Sequence, residues 1–287
     1  MNFENTVRLA FYDSGIGGFS VLREFLKFFK EINKETTSQG AVSETNVPGL
    51  KIEIHYIADS ARAPYGARSL EDIKRYVHEF SDFAANLGID YFISACNTSS
   101  NLFEDLDFSA YKFKTLNLFT ALNSFLEKEK ETLALANLYY LATKANIASG
   151  KYKNLVLKVN PLACPKLVPL IEKFNFDEAL SVLETEYLGN VEDDENAEVG
   201  VRQRGGTVVG RANSRLTRMS DQDILILGCT HYALLKHLLG KYSIIDPAEL
   251  ILKEFSKSFT AGTISSINLN TYSTGENSSL MLLTKGV

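Results

Sequence analysis

The chain has 287 residues, 45% of them hydrophobic and 23% charged, with a formal net charge of -5. That balance describes a globular protein of one or two domains and excludes the basic surface of a nucleic-acid-binding protein. No window reaches the ~18 to 20 apolar residues of a membrane span, and the N-terminal stretch MNFENTVRLAFYDSG lacks the basic and apolar regions of a secretion signal.

The first apolar run, RLAFYD (8–13), reads as a strand and is followed by DSGIGG, a turn. A helix is expected after Ser20, burying Val21, Leu22, Phe25, Leu26 and Phe29 at helical spacing. Residues 35–48 are polar and aperiodic and read as an exposed loop. A strand over KIEIHYIAD (51–59) precedes a helix over 69–87. That helix has a capping-box-like start at Ser69 and Asp72 and a stop at Gly88. Further strands are expected at DYFISAC (90–96), NLYYLAT (137–143), LVLKVNP (155–161) and DILILGC (223–229). A third helix should begin near Pro165, and 189–206 reads as a charged surface insertion. Strands alternating with helices predict α/β layers around mostly parallel sheets, with ligands bound beyond the carboxyl ends of the strands.

Two pairs of stretches share a plan. YFISACNTSSNLF and ILILGCTHYALLK each run from an apolar strand into Cys and Thr, and the cysteines are 133 positions apart. RLAFYDSGIGG and LYYLATKANIASG each run from a strand into a small-residue turn. Their terminal polar residues, Asp13 and Thr143, are 130 apart. The nearly equal offsets predict two similar halves.

The cysteines at 96, 164 and 229 are odd in number and widely spaced, which fits reduced thiols in the cytoplasm. Cys164, in PLACPKLVPL, reads as a small core residue. Cys96 and Cys229 end strands among hydroxyl-bearing residues, where a thiol near unpaired N–H groups is acidified. His231 is placed to exchange a proton with Cys229. Three readings stand side by side: buried thiols, a metal site using Cys229 and His231, and a Cys-His hydrolase. The missing C-x-x-C and H-x-x-x-H spacings count against the metal, and a hydrolase leaves the second cysteine unexplained. The turn after Asp13 breaks the dinucleotide fingerprint, because Ser20 occupies the third glycine position. It reads as a tight turn able to hold an anion such as a carboxylate, while Asp13 itself either caps that turn or serves the site. Two opposed cysteines also suit inversion of a carbon centre, which needs a base on one face and an acid on the other.

The stretches YDSGIGGFSVL, ADSARAPYG, SACNTSS, CPKLVPLIE and LGCTHYALL, spread over residues 12–235, resemble in that order the motifs of glutamate racemases. These are members of the aspartate/glutamate racemase superfamily. A fainter match follows at YSTGENSS (272–279). The resemblance implies two similar three-layer α/β domains with the active site in the cleft between them. Residues 1–119 with 243–287 would form the first domain and 120–242 the second. It implies interconversion of L- and D-glutamate in the cytoplasm without cofactor or metal, in a homodimer, to supply D-glutamate for peptidoglycan. By that resemblance Cys96 and Cys229 are the catalytic thiols, Asp13 and His231 assist them, and Glu172 is a further acidic residue near the second. Ser14, Tyr65, Gly66, Asn97, Thr98, Thr143 and Thr230 would hold the substrate.

Several positions depart from the family's pattern. Asn146 replaces a Thr, Ser99 and Ser100 replace an alanine-rich continuation and are expected to make the pocket wall more polar, and Ala63 replaces a larger apolar residue. LNLFTALN lacks a Glu-Pro, and 189–222 is long. The alternatives kept open are a racemase of aspartate or another amino acid, a non-catalytic amino-acid-binding protein and a cysteine hydrolase.

Overall fold

The computed structural model of the protein describes residues 5–38, 49–189, 223–259 and 263–275. Its strands are β1 (Thr6–Asp13), β2 (Leu50–Ala58), β3 (Tyr91–Ser94), β4 (Lys114–Asn117), β5 (Asn137–Ala142), β6 (Asn160–Ala163), β7 (Asp223–Gly228), β8 (Ser243–Ile245) and β9 (Ile264–Ser273). Its α-helices are α1 (Phe19–Ser38), α2 (Leu70–Asn86), α3 (Asn97–Ser100), α4 (Leu118–Lys128), α5 (Lys144–Ser149), α6 (Leu167–Glu172), α7 (Phe176–Val182), α8 (Thr230–Ala233) and α9 (Pro247–Ser258).

Strands buried on both faces need continuous apolar sequence, and the end of β1 has it: Leu9, Ala10, Phe11 and Tyr12 are fully buried. β1 is flanked by β2 and β3, in a sheet of order β4-β3-β1-β2-β9. The second sheet has the order β6-β5-β7-β8. All strand pairings in both sheets are parallel. Leaving out the edge strand β9, the orders β2-β1-β3-β4 and β6-β5-β7-β8 correspond strand for strand. β1 therefore corresponds to β5, and β3 to β7. The nearly equal sequence offsets thus correspond to a repeated α/β topology, and β9 is an addition to the first sheet. In each half the chain goes to opposite sides of its first strand, which opens a crevice at the carboxyl ends of β1 and β3 and of β5 and β7.

Helix α2 follows its sequence pattern closely. Ile73, Tyr76, Val77, Phe80 and Ala84 are buried. The Ser69 hydroxyl oxygen accepts from the Asp72 N–H at 3.1 Å, and Gly88 takes φ +67° just past the end. Between the two sheets lies a common apolar core. It joins Phe11, Phe25 and Phe29 to Leu118 and Leu122 of α4, Phe255 of α9, and Leu138, Tyr140 and Ile226 of the second sheet.

Some elements differ from the sequence reading. LVLKVNP is not a strand from 155. Leu155 and Val159 are buried as irregular chain against the core, and pairing with β5 begins only at Asn160. An apolar run marks burial, and ladder partners decide whether it is a strand. Helix α1 continues to Ser38, through the first residues expected to form a loop. The rest of that loop, and 190–206 of the second expected loop, lie outside the described residues. β8 pairs with β7, so the second sheet extends beyond position 243, where the sequence reading returned the chain to the first unit.

Phe255 is fully buried, with ring centroids 5.0 Å from Phe25 and 5.2 Å from Tyr91. Phe255→Ala is expected to lower unfolding free energy by about 3–5 kcal/mol, measured by urea denaturation. A loss below about 1 kcal/mol would contradict this placement of the core.

Candidate functional site

Polar residues gather where the strands of both halves end. Asp13 is the last residue of β1 and is fully buried. Cys96 follows β3, Thr143 follows β5 and Cys229 follows β7, and all three are buried. A parallel strand delivers its last residue to the sheet's carboxyl edge, so the repeated topology brings Asp13 and Cys96 together from one sheet and Thr143 and Cys229 together from the other.

The two sheets meet through specific contacts. The Thr230 hydroxyl donates to Asp13 Oδ2 at 3.2 Å, bridging 217 positions of sequence. The Thr98 and Thr143 hydroxyls lie 3.4 Å apart. Glu172, the last residue of α6, places Oε1 at 2.6 Å from His231 Nε2 and accepts from the Ile16 N–H at 3.5 Å. His231 Nδ1 lies 3.9 Å from Cys229 Sγ, and Cys96 Sγ lies 3.7 Å from the Ser14 hydroxyl. The glycine turn makes this approach possible. A Cβ on Gly17 would sit 2.5 Å from His231 Nδ1 and 2.6 Å from Thr230 Oγ1.

That turn was expected to hold an anion. In the structure its N–H groups serve the protein's own carboxylates: Gly15 N–H donates to Asp13 Oδ1 at 2.7 Å, and Ile16 N–H reaches Glu172. Tyr65 was expected at the substrate. Its side chain turns into the core, where the hydroxyl donates to Asp59 Oδ2 at 2.5 Å and also meets the Tyr12 hydroxyl, which leaves its main chain to face the site. The neighbouring Gly66 faces Thr143, with only 3.0 Å from a hypothetical Cβ to the threonine Cβ. A cavity of about 490 Å³ shares Gly66 and Thr143 with the site and is also lined by Arg68, Lys144, Pro165 and Val168. Asn97 is buried, and its Oδ1 has no hydrogen-bond partner. A buried acceptor of that kind is costly unless a ligand or water supplies a donor.

Burial and charged neighbours tune the groups at the site. Burial pushes Cys96 up to about 12, and the neighbouring Asp13 charge adds to the effect, while the Ser99 N–H and the Ser14 hydroxyl oppose it. Charge on Cys229 also raises Cys96. Asp13 is raised to about 6 by burial, with His231 opposing. Burial disfavours the His231 imidazolium, but its partners Cys229 and Glu172 outweigh this and hold it well above the usual histidine range. Glu172 is disfavoured as an anion by burial, yet His231 brings it below its ordinary value. The arrangement therefore offers two buried thiols: one beside a carboxylate, the other beside an imidazole held by a second carboxylate.

Cys164 lies in the apolar core with its carbonyl accepting from the Tyr232 hydroxyl at 2.8 Å. Three supporting residues were absent from the sequence reading of the site. Tyr56 donates to the Gly15 carbonyl at 2.8 Å and fixes the turn. Asp59 accepts from Tyr65, from Thr274 at 2.7 Å, and from Arg62 at 2.7 Å. Ser94 meets the hydroxyls of Ser99 and Ser100 at 2.8 and 3.0 Å. Asp59 had a readable signal, since it ends its strand region as Asp13 does.

No family model matches the chain. Among curated proteins, it is 29% identical over 278 residues to a glutamate racemase of Persephonella marina, covering 93% of this chain and 85% of that protein. It is 28% identical over 251 residues to one from Picosynechococcus, covering 85% and 70%. Among solved structures, the glutamate racemase of Campylobacter jejuni superposes with a TM-score of 0.71 at 25% identity, covering 97% of both chains.

The raised Asp13 makes a prediction about stability. Its carboxyl binds a proton more tightly when folded, at about 6, than when unfolded, at ~3.9. The proton therefore favours the folded state: that contribution is complete below about pH 4 and is lost as the pH rises through about 6. Asp13→Asn removes this dependence. The variant's melting temperature minus that of wild type is expected to increase from pH 4 to pH 7 in scanning calorimetry. A difference that is flat over this range would refute the assignment.

Proposed function

We propose that the protein, grouped by sequence and fold with the glutamate racemases, interconverts L- and D-glutamate by a two-base reaction at Cys96 and Cys229. The observation that carries this reading is the pair of thiols at equivalent strand ends of two like sheets, each with a different proton partner. One thiolate takes the α-proton, breaking the Cα–H bond. The other thiol gives its proton to the opposite face of the same carbon. Carbon stereochemistry inverts, and the two sulfurs exchange protonation states, ready for the reverse direction. Asp13 assists Cys96, and His231, oriented by Glu172, assists Cys229.

Glutamate's α-proton is a weak acid, so the negative charge that develops must be stabilised. Main-chain N–H groups around Asn97–Thr98 and Thr230–His231 take the α-carboxylate as it gains charge. The unpartnered Asn97 Oδ1 accepts from the α-ammonium. Ser14, Thr98, Thr143 and Thr230 supply hydroxyls, and the Tyr65–Gly66 turn contributes its main chain. In this reading the first unit ends near 119 and resumes after β8, and no cofactor or metal takes part. The enzyme is a cytoplasmic homodimer whose D-glutamate enters peptidoglycan. No described helix is long and apolar enough to cross a membrane.

The test is incubation with L-glutamate in deuterium oxide without added cofactor, following the α-proton by NMR and the optical rotation. Exchange and loss of rotation are expected. Folded protein that produces neither refutes the reading, and turnover of L-aspartate alone reassigns the substrate. Cys96→Ala and Cys229→Ala are each expected to lower racemisation by about a thousandfold or more. Full turnover by either variant rules out the two-base mechanism.

A further inference from the structure

Below Cys96 lies a closed cluster of three buried serines: Ser94 at the end of β3, and Ser99 and Ser100 in α3. Ser99 and Ser100 were expected to make the pocket wall polar, but their hydroxyls are bonded to protein groups. The Leu118 N–H donates to Ser100 Oγ at 3.2 Å. Ser100 Oγ lies 3.0 Å from Ser94 Oγ, which lies 2.8 Å from Ser99 Oγ. Ser99 Oγ in turn donates to the Cys96 carbonyl at 3.1 Å. A serine hydroxyl has one proton to give. Ser94 Oγ also lies 3.3 Å from the Cys96 carbonyl and Ser100 Oγ 3.3 Å from the Ser94 carbonyl, so the Leu118 N–H enters the cluster at Ser100 and its hydroxyl protons end on the Cys96 and Ser94 carbonyls. Such chains polarise one another along their length.

We propose that Ser94, Ser99 and Ser100 are positioning residues for the Cys96 thiol, acting as one hydrogen-bond chain that anchors its peptide to the start of α4. This inference rests on the racemase reading for its catalytic consequence. The Cys96–Asn97 peptide is planar, so fixing its carbonyl also fixes the Asn97 N–H on the opposite side, toward the substrate. The chain also holds Ser99, whose own N–H stabilises the Cys96 thiolate. The Ser100 N–H completes the set, donating to the same Cys96 carbonyl at 2.9 Å. The anchor, Leu118, is the first residue of the helix through which the chain leaves the first sheet for the second. The base is therefore tied to the crossing between the halves.

The test compares Ser94→Ala, Ser99→Ala and the double variant with wild type, and with Ser81→Ala. The Ser81 hydroxyl is also buried and donates to the Val77 carbonyl at 2.8 Å within α2. Each single site variant is expected to lower kcat/KM by about five- to tenfold, the size of one hydrogen bond. Because the chain acts as a unit, the double variant should lose little more. In deuterium oxide, damage confined to one base has a directional signature. From the enantiomer whose α-hydrogen faces Cys229, exchange should outrun inversion, whereas from the other it should not. Alkylation of Cys96 at fixed pH, followed by peptide mass spectrometry, should slow several-fold while that of Cys229 does not change. Wild-type kinetics in the variants, or losses matching Ser81→Ala with equal exchange-to-inversion ratios for both enantiomers, would overturn the proposal. The alkylation comparison needs no turnover. Unchanged Cys96 alkylation refutes the positioning role even in a protein that does not racemise, whereas absent wild-type racemisation strikes only at the proposed function.

Discussion

The structure turns on removing several ionisable groups from water at one seam. Two thiols, the Asp13 carboxyl and the His231 imidazole are all buried where the sheets meet, and Glu172 is largely so. Desolvating charge is unfavourable unless partners replace the lost water. The partners come from distant parts of the chain: Thr230 and the Gly15 N–H for Asp13, and Glu172 for His231. None of the cross-sheet bonds can form until both sheets are built and docked. The contacts that allow the site to be dry are the same contacts that hold its two halves together. This also explains the glycine turn. A Cβ at Gly15 would meet Glu172 Oε1 at 2.7 Å and one at Gly17 would meet His231, so the backbone must approach without side chains.

The scaffold is repeated, but its chemistry is not. β1 corresponds to β5 and β3 to β7, which makes Cys96 the counterpart of Cys229 and Asp13 the counterpart of Thr143. The topology accounts for the matched thiols. Their neighbours do not follow the repeat: the first lies near the Asp13 carboxyl, and the second near an imidazole bonded to Glu172. A protein of L-residues presents different surroundings to the two faces of a carbon centre.

Much of this was legible in the sequence because burial on two faces writes continuous apolar runs. β1, β2, β3, β5 and β7 were readable for that reason, as was α2 from its period and its Ser69 cap. The short edge strands β4, β6 and β8, and β9 with its alternating half-exposed residues, carry too weak a pattern, and their pairing depends on neighbours already in place. The candidate site was legible at strand ends, where Asp13, Cys96, Thr143 and Cys229 break apolar runs with reactive or polar groups. The direction of a hydroxyl was not. Tyr65 points to Asp59, and Ser99 to the Cys96 carbonyl, because of partners brought close only by the fold.

The seam is closed in this structure, and its closure is held by a small number of bonds. Among the described residues, Thr98 with Thr143, Thr230 with Asp13, and Ile16 with Glu172 are polar links that span the two sheets at the site. At about 0.5–1.5 kcal/mol net for each hydrogen bond, opening the mouth costs a few kcal/mol. Behind that polar rim the two sheets share the apolar core of α1, α4 and α9, and α4 runs into it from the serine-anchored end at Leu118.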